Sequence, residues 1–146
     1  MGIVFINENV RRPYLKYKRI KKWICYILND NSFIIGDVTC IFCSDDYLKD
    51  INIKFLQHDY YTDVVTFGYS NDNIIDGDIF ISVERVKENC LIYNSRLSDE
   101  FLRVIIHGIL HLMGYNDTNE IERRNMTKKE DDCLALYNYM NDEFSK

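Results

Sequence analysis

Residues 101–117 have the sequence FLRVIIHGILHLMGYND, and this stretch decides how the rest of the chain is interpreted. Its apolar run from Phe101 to Met113 predicts a helix over residues 98–113. The helix carries His107 and His111 four residues apart, which places both imidazoles on one face, where they can bind one metal ion. The alternative is a pair of core histidines that find hydrogen-bond partners in an apolar environment. Two histidines in so apolar a helix favour the metal site.

The segment after this helix offers a third ligand. Gly114 is typical of a left-handed helix end, so the chain is expected to turn back and bring Asp117 to the same ion. Asp117 has an alternative role as the cap of the next helix. Two imidazoles and one carboxylate leave one position of a tetrahedral zinc ion for water, as in catalytic zinc sites, and the metal lowers the pKa of that water towards neutrality.

The residue after the first histidine argues against peptidase chemistry. Peptidases with a His-Glu-x-x-His helix use the glutamate as general base. This chain has Gly108 at that position, which can neither take a proton nor position water with a side chain. A metal hydrolase acting on peptides is therefore disfavoured.

Length and composition predict one domain over residues 1–146. The chain has a mass of 17.5 kDa, the size of one ordinary domain. Its residues are 47% hydrophobic and 28% charged, a composition that excludes disorder as the main state. We expect neither a membrane span nor export, since no apolar run approaches the roughly 18 residues needed to cross a bilayer and the start does not resemble a signal peptide. Five scattered cysteines are typical of reduced thiols and favour the cytoplasm.

Hydrophobic periodicity predicts strands at 2–7, 36–43, 63–69 and 78–82. Helices are predicted at 14–29, from the Ser44 cap to about residue 56, and at 83–94, 98–113 and 119–142. Long helices gather towards the end of the chain. This order predicts an α+β domain in which a mixed four-stranded sheet packs against about five helices.

A basic segment stands out in a chain of formal charge −5. No acidic residue lies between Asn9 and Asn29, whereas seven Lys and Arg do: Arg11, Arg12, Lys16, Lys18, Arg19, Lys21 and Lys22. Such a concentration of positive charge in one segment suits binding to a phosphate backbone. The alternative is a solvated helix face, because the same segment carries an apolar stripe at helical spacing. We predict RNA contacts for Arg11, Arg12, Lys16, Lys18, Arg19 and Lys22.

Three segments together resemble one family. The run His107-Gly-Ile-Leu-His-Leu-Met-Gly-Tyr-Asn-Asp117 closely resembles the signature of the YbeY family of metal-dependent endoribonucleases and rRNA-maturation factors. Ile51-Asn52, Asp59 and the run Thr62-Asp63-Val-Val-Thr-Phe67 are similar to the asparagine-containing helix and Thr-Asp-Val-Leu-Ser-Phe strand of that family, and Gly77-Asp-Ile-Phe-Ile-Ser82 is similar to its next strand. The resemblance in length and order covers most of the chain, and it includes Glu100, Leu102 and Arg103.

The resemblance implies a zincin-like α+β domain with one zinc ion per chain, in which His107 and His111 match the first two ligands. It implies a cytoplasmic endoribonuclease that acts on single-stranded RNA and rRNA precursors and trims the 3′ end of 16S rRNA. It also implies a role in ribosome quality control, with the ribosomal subunit as a binding partner. We expect a monomer. The hypothesis for the mechanism is metal-assisted hydrolysis of a phosphodiester, with no general base assigned.

Two positions depart from the family pattern. The usual third histidine is Asp117, preceded by Asn116, and a carboxylate remains a competent zinc ligand. The usual arginine, thought to act on the phosphate, is Leu56, which cannot stabilise a phosphorane. Its substitute is expected among Arg103, Lys54, His58 and the basic segment.

The predicted catalytic set is therefore His107, His111, Asp117 and Arg103. Because Leu56 removes a charge, a second hypothesis stays open: a ribosome-associated assembly factor whose zinc is structural or weakly active. A third hypothesis, a metal hydrolase for another phosphoester or for a peptide, is supported only by the generic histidine pair. Gly108 and the other two motifs argue against it.

Weaker signals have alternative explanations. Cys40 and Cys43 have a metal-binding spacing but lie in a predicted strand, where an odd separation points the thiols to opposite faces. Tyr60 and Tyr61 are suited to stacking on unpaired bases or to covering a core edge. His58 is expected at the surface rather than as a metal ligand. A solvated acidic face, rather than a second metal site, is expected at Glu130, Asp131 and Asp132. Two roles are open for Asp63 and Asp78, either to orient a histidine or to cap local structure.

Overall fold

The computed structural model describes residues 2–69 and 72–140, and it confirms a mixed α+β architecture. The elements in chain order are β1 (Gly2–Asn7), α1 (Tyr17–Asp30), β2 (Ile34–Cys43), α2 (Asp45–Leu56), β3 (Val64–Gly68), β4 (Ile74–Ser82), α3 (Val83–Tyr93), α4 (Leu97–Leu112) and α5 (Glu120–Tyr139). In the described residues, the four strands form one sheet of order β1-β2-β4-β3. β1, β2 and β4 are parallel, and β3 runs antiparallel along β4.

Helix α4 packs tightly on the sheet because of one glycine. Ile105, Ile106 and Ile109 of α4 are fully buried in the main core. A Cβ atom placed on Gly108 would lie 2.7 Å from Cγ2 of Ile79 in β4. Gly108 therefore lets the helix that carries both histidines approach β4 more closely than a larger residue would permit.

Element boundaries follow local chemistry. Ser44 caps the start of α2 as predicted, and its hydroxyl accepts a hydrogen bond from the N–H of Tyr47 at 3.1 Å. β4 begins at Ile74 rather than at residue 78, because Ile74 and Ile75 pair with β2 across a register shift. α1 begins at Tyr17 rather than at residue 14. The last two residues of the predicted helix at 119–142 lie outside the described residues.

The cysteines behave as expected of reduced thiols. All five lie within the described residues and are free. Cys40 belongs to the main core and Cys43 to a small cluster with Leu48 and Val65 on the other side of the sheet, so the two thiols point to opposite faces as predicted. Among residues 2–69 and 72–140, no helix is both long and apolar enough to traverse a bilayer.

Candidate metal centre

Helix α4 presents His107 and His111 on one face, at the wall of a cleft. Their side chains are 21% and 23% exposed, so both rings are partly buried yet reachable. The helix ends at Leu112, and Gly114 follows it in the predicted left-handed conformation, with a φ of +106°. The N–H of Tyr115 donates to the carbonyl of Leu110. This turn brings Asp117 back to the two histidines.

Three ligand atoms form a nearly equilateral triangle. Nε2 of His107 and Nε2 of His111 are 3.0 Å apart, and Oδ2 of Asp117 lies 3.3 Å from the first and 3.4 Å from the second. Tetrahedral bonds of about 2.0–2.1 Å place two ligand atoms about 3.3–3.4 Å apart. The three residues therefore fit one divalent ion without a change of side-chain position, and they are the one such group of His, Cys, Asp and Glu in the described residues.

Glu130 of α5 orients the first histidine. Its side chain is only 8% exposed, and Oε2 lies 2.5 Å from Nδ1 of His107. When Nδ1–H donates to this carboxylate, the lone pair of Nε2 points towards the metal position. Burial by itself lowers the pKa of His107, but the hydrogen bond and charge of Glu130, together with the charges of Asp117 and Asp63, raise the pKa overall.

This position of Glu130 corrects the sequence interpretation. The sequence predicts a solvated acidic face at Glu130, Asp131 and Asp132, and Asp131 and Asp132 are exposed as predicted. It leaves two roles open for Asp63 and Asp78, either to orient a histidine or to cap local structure. Glu130 is buried, and Asp78 instead accepts a hydrogen bond from the hydroxyl of Tyr69. A signal was present in the sequence, because Met126, Glu130 and Cys133 follow the helical spacing of the buried stripe of α5.

Arg103 is held by two carboxylates. Its Nη1 donates to Oε1 of Glu130 at 2.8 Å and its Nη2 donates to Oδ1 of Asp131 at 2.6 Å. Asp131, Arg103, Glu130 and His107 thus form a continuous hydrogen-bonded series that ends at the metal position. The guanidinium lies in the wall of the cleft, but its Nη1 and Nη2 donate to Glu130 and Asp131.

The cleft has a volume of about 690 Å³ and joins the metal centre to β3 and to the loop before it. Asp63, immediately before β3, lies in the wall of the cleft, where burial raises the pKa of the carboxyl group despite the nearby His107. Leu56, His58 and Tyr60 line the same cleft. Leu56, one of the two positions that depart from the family pattern, therefore places an apolar side chain in the cleft.

The basic segment lies on other surfaces, and one of its members is internal. Arg11, Arg12, Lys16 and Lys18 are exposed. Arg19 is buried, and its guanidinium donates to the main-chain carbonyls of Tyr137 and Met140. This interaction corrects the expectation that Arg19 touches RNA, because its donors fasten α1 to the end of α5.

Comparison with known proteins identifies the relatives of this chain. The family model described as Endoribonuclease YbeY matches residues 5–138. The chain is 40% identical to the Endoribonuclease YbeY of Parabacteroides distasonis over 93% of this chain and 96% of the relative. It is 49% identical to that of Karelsulcia muelleri over 75% of this chain and 78% of the relative. A solution structure of a Thermotoga maritima protein superposes with a TM-score of 0.69 at 27% identity, covering 92% of this chain and 88% of the other.

Proposed function

This chain belongs to the endoribonuclease YbeY family, and we propose that it hydrolyses phosphodiester bonds of RNA at a metal centre formed by His107, His111 and Asp117. The observation that carries the proposal is the triangle of ligand atoms, 3.0 to 3.4 Å on a side, at the wall of an open cleft. Three protein ligands leave a fourth position for chemistry, unlike the closed sets of structural zinc sites.

The donor set supports zinc, one ion per chain. Two imidazole nitrogens and a carboxylate oxygen match the ligand sets of catalytic zinc, although the same atoms also bind other first-row divalent metals. When bound, such an ion supplies a nucleophile at neutral pH and stabilises charge that develops on a phosphoryl group.

The protein residues prepare this centre. Glu130 holds a proton at Nδ1 of His107 and keeps Nε2 available as a ligand. Arg103, predicted above as a catalytic residue, is proposed to act as a positioning residue, because its two donors fix Glu130 and Asp131. Asp117 contributes a negative charge where a histidine would contribute none.

The proposed substrate is single-stranded RNA in rRNA precursors, notably the 3′ end of 16S rRNA, with a role in ribosome quality control at the ribosomal subunit. We propose a monomeric, single-domain, cytoplasmic enzyme, and the five free thiols support a reducing compartment. The exposed cations Arg11, Arg12, Lys16 and Lys18, with half-buried Lys22, are proposed to contact phosphates.

The test compares the wild-type chain with Asp117→Ala and Asp117→His. Elemental analysis of the wild type is expected to give about one zinc per chain, with chelator-sensitive cleavage of labelled single-stranded RNA. Asp117→Ala is expected to lose both, and Asp117→His to keep the metal, because histidine also ligates zinc. Zinc retained by the wild type without any cleavage would contradict the nuclease and support the assembly factor.

A further inference from the structure

Two aromatic rings stand together at the rim of the metal cleft. The rings of His58 and Tyr60 have centroids 5.2 Å apart and planes 17° apart, which is an offset stack. The hydroxyl of Tyr60 lies 3.0 Å from Nδ1 of His58 and links the two side chains. Both are exposed, Tyr60 by 53%, and both line the cleft that holds the metal ligands. We call this pair the His58–Tyr60 platform.

One buried asparagine fixes the platform in place. Asn52 of α2 is 1% exposed, and its main-chain carbonyl accepts a hydrogen bond from the N–H of His58 at 3.2 Å. Its side-chain amide donates to the carbonyl of Tyr60 at 3.1 Å. A ligand that lands on the rings therefore meets a surface that is already ordered, and binding costs less conformational entropy.

We propose that the His58–Tyr60 platform binds one unpaired base of the RNA substrate by stacking. The inference rests on the proposed function and assigns a base subsite beside its metal centre. Every base has a π-face, so stacking on an aromatic ring binds single strands with little regard to sequence. A base inside a duplex is already covered on both faces, so the platform favours single-stranded over double-stranded RNA.

The neighbouring side chains support this assignment. Leu56, which lines the same cleft and is 39% exposed, adds apolar surface to the wall of that cleft. Tyr61 is engaged elsewhere, because Lys49 lies 4.5 Å from its ring centroid and its hydroxyl donates to Asp46. Of the two adjacent tyrosines, Tyr60 is therefore the one positioned to receive a base.

The test is a double-mutant cycle between protein and RNA. The probe is fluorescein-labelled octa-adenylate RNA, either intact or with one abasic residue, which is placed at each position in turn. Each RNA is titrated with the full chain. A chelator is present so that the RNA is not cleaved. We expect Tyr60→Ala to weaken binding of the intact RNA by about 5- to 100-fold, as typical for the removal of one stacked base. At one abasic position the wild type should show a similar weakening, and Tyr60→Ala should show no further weakening there.

Two variants serve as controls. Tyr60→Phe keeps the ring and is expected to bind within about twofold of the wild type. Tyr139→Ala removes a tyrosine that is 88% exposed at the end of α5 and should bind as the wild type does. Zinc uptake should be equal in all of them, since none is a ligand.

The outcomes separate the two proposals. Additive effects of Tyr60→Ala and of every abasic position, or unchanged binding by Tyr60→Ala, would overturn the platform even if the wild type cleaves the intact RNA with zinc. Absence of zinc-dependent cleavage by the wild type would overturn the proposed function, and the platform as its substrate subsite with it.

Discussion

The carboxylate of Glu130 lies 2.5 Å from Nδ1 of His107, although the two residues are 23 positions apart in the sequence. This hydrogen bond joins α5 to the metal helix and decides which ring nitrogen of His107 faces the metal position. It also places a buried negative charge next to Arg103, which neutralises it. The metal centre thus depends on a helix that contributes no ligand.

We expect Glu130→Gln to weaken zinc affinity by about 10- to 100-fold, because outer partners of a ligating histidine typically contribute that much. Competition with a chromophoric chelator measures the affinity. Glu120→Gln, at an exposed position of the same helix, is the matched control and should leave zinc affinity unchanged. Equal affinities of Glu130→Gln and the wild type would contradict the orienting role.

Particular residues show how far the sequence alone predicted this centre. The spacing of His107 and His111 and the helix end at Gly114 are local features, so they predicted the three proposed ligands that the structure brings together. Glu130 stands between Lys129 and Asp131, and such neighbours suggest solvent, whereas its burial depends on how α5 packs against α4. Arg19 was misassigned for the same reason, since its carbonyl partners lie 118 and 121 residues away.

Gly108→Ala is expected to destabilise the protein. The added Cβ would lie 2.7 Å from Cγ2 of Ile79, which is fully buried and has little room to move. Overpacking of this kind costs about 1–3 kcal/mol, partly offset by the roughly 1 kcal/mol that alanine gains over glycine in a helix. Urea denaturation measures the change.

A double variant isolates this close approach. Ile79→Ala removes the methyl group that the new Cβ would meet, so Gly108→Ala should cost less in the Ile79→Ala background than in the wild type. Additive free energies of unfolding would show that the packing of α4 on β4 does not require a glycine.

Arg19→Ala is expected to lower the free energy of unfolding by about 2–3 kcal/mol, because it removes charged donors from two carbonyls in a buried setting. Lys18→Ala, one residue earlier and exposed, should change it by at most about 0.5 kcal/mol. Thermal and urea denaturation of the two variants make the comparison. A small effect of Arg19→Ala would mean that its hydrogen bonds to the end of α5 contribute little.

The same segment yields a prediction about RNA. Replacing Arg11 and Arg12 together by Gln should make the binding of single-stranded RNA less dependent on salt. The slope of the logarithm of the binding constant against the logarithm of the salt concentration should become shallower by about 0.7 for each phosphate that the variant no longer neutralises. Arg19→Gln should leave that slope unchanged, because its guanidinium is already bonded to protein carbonyls. A slope that falls equally in both variants would contradict the distinction between the exposed and the internal arginines.

Asp63→Asn is expected to stabilise the metal-free protein at neutral pH. Burial in the cleft wall raises the pKa of Asp63 in the folded state above the value of about 3.9 in an unfolded chain. The folded state then binds the proton more tightly, so the contribution of Asp63 to stability is fully present below about pH 3.9 and disappears as the pH rises through the folded pKa. Asparagine carries no charge and avoids this destabilisation. The gain in the free energy of unfolding from Asp63→Asn should therefore be largest at about pH 7 and should shrink as the pH falls towards about 4.

Urea denaturation in the presence of chelator at several pH values measures this gain. Asp50→Asn, at an exposed position, is the control and should show no gain. A gain that is independent of pH would contradict the charged carboxylate as its cause and leave only the change of hydrogen-bonding group.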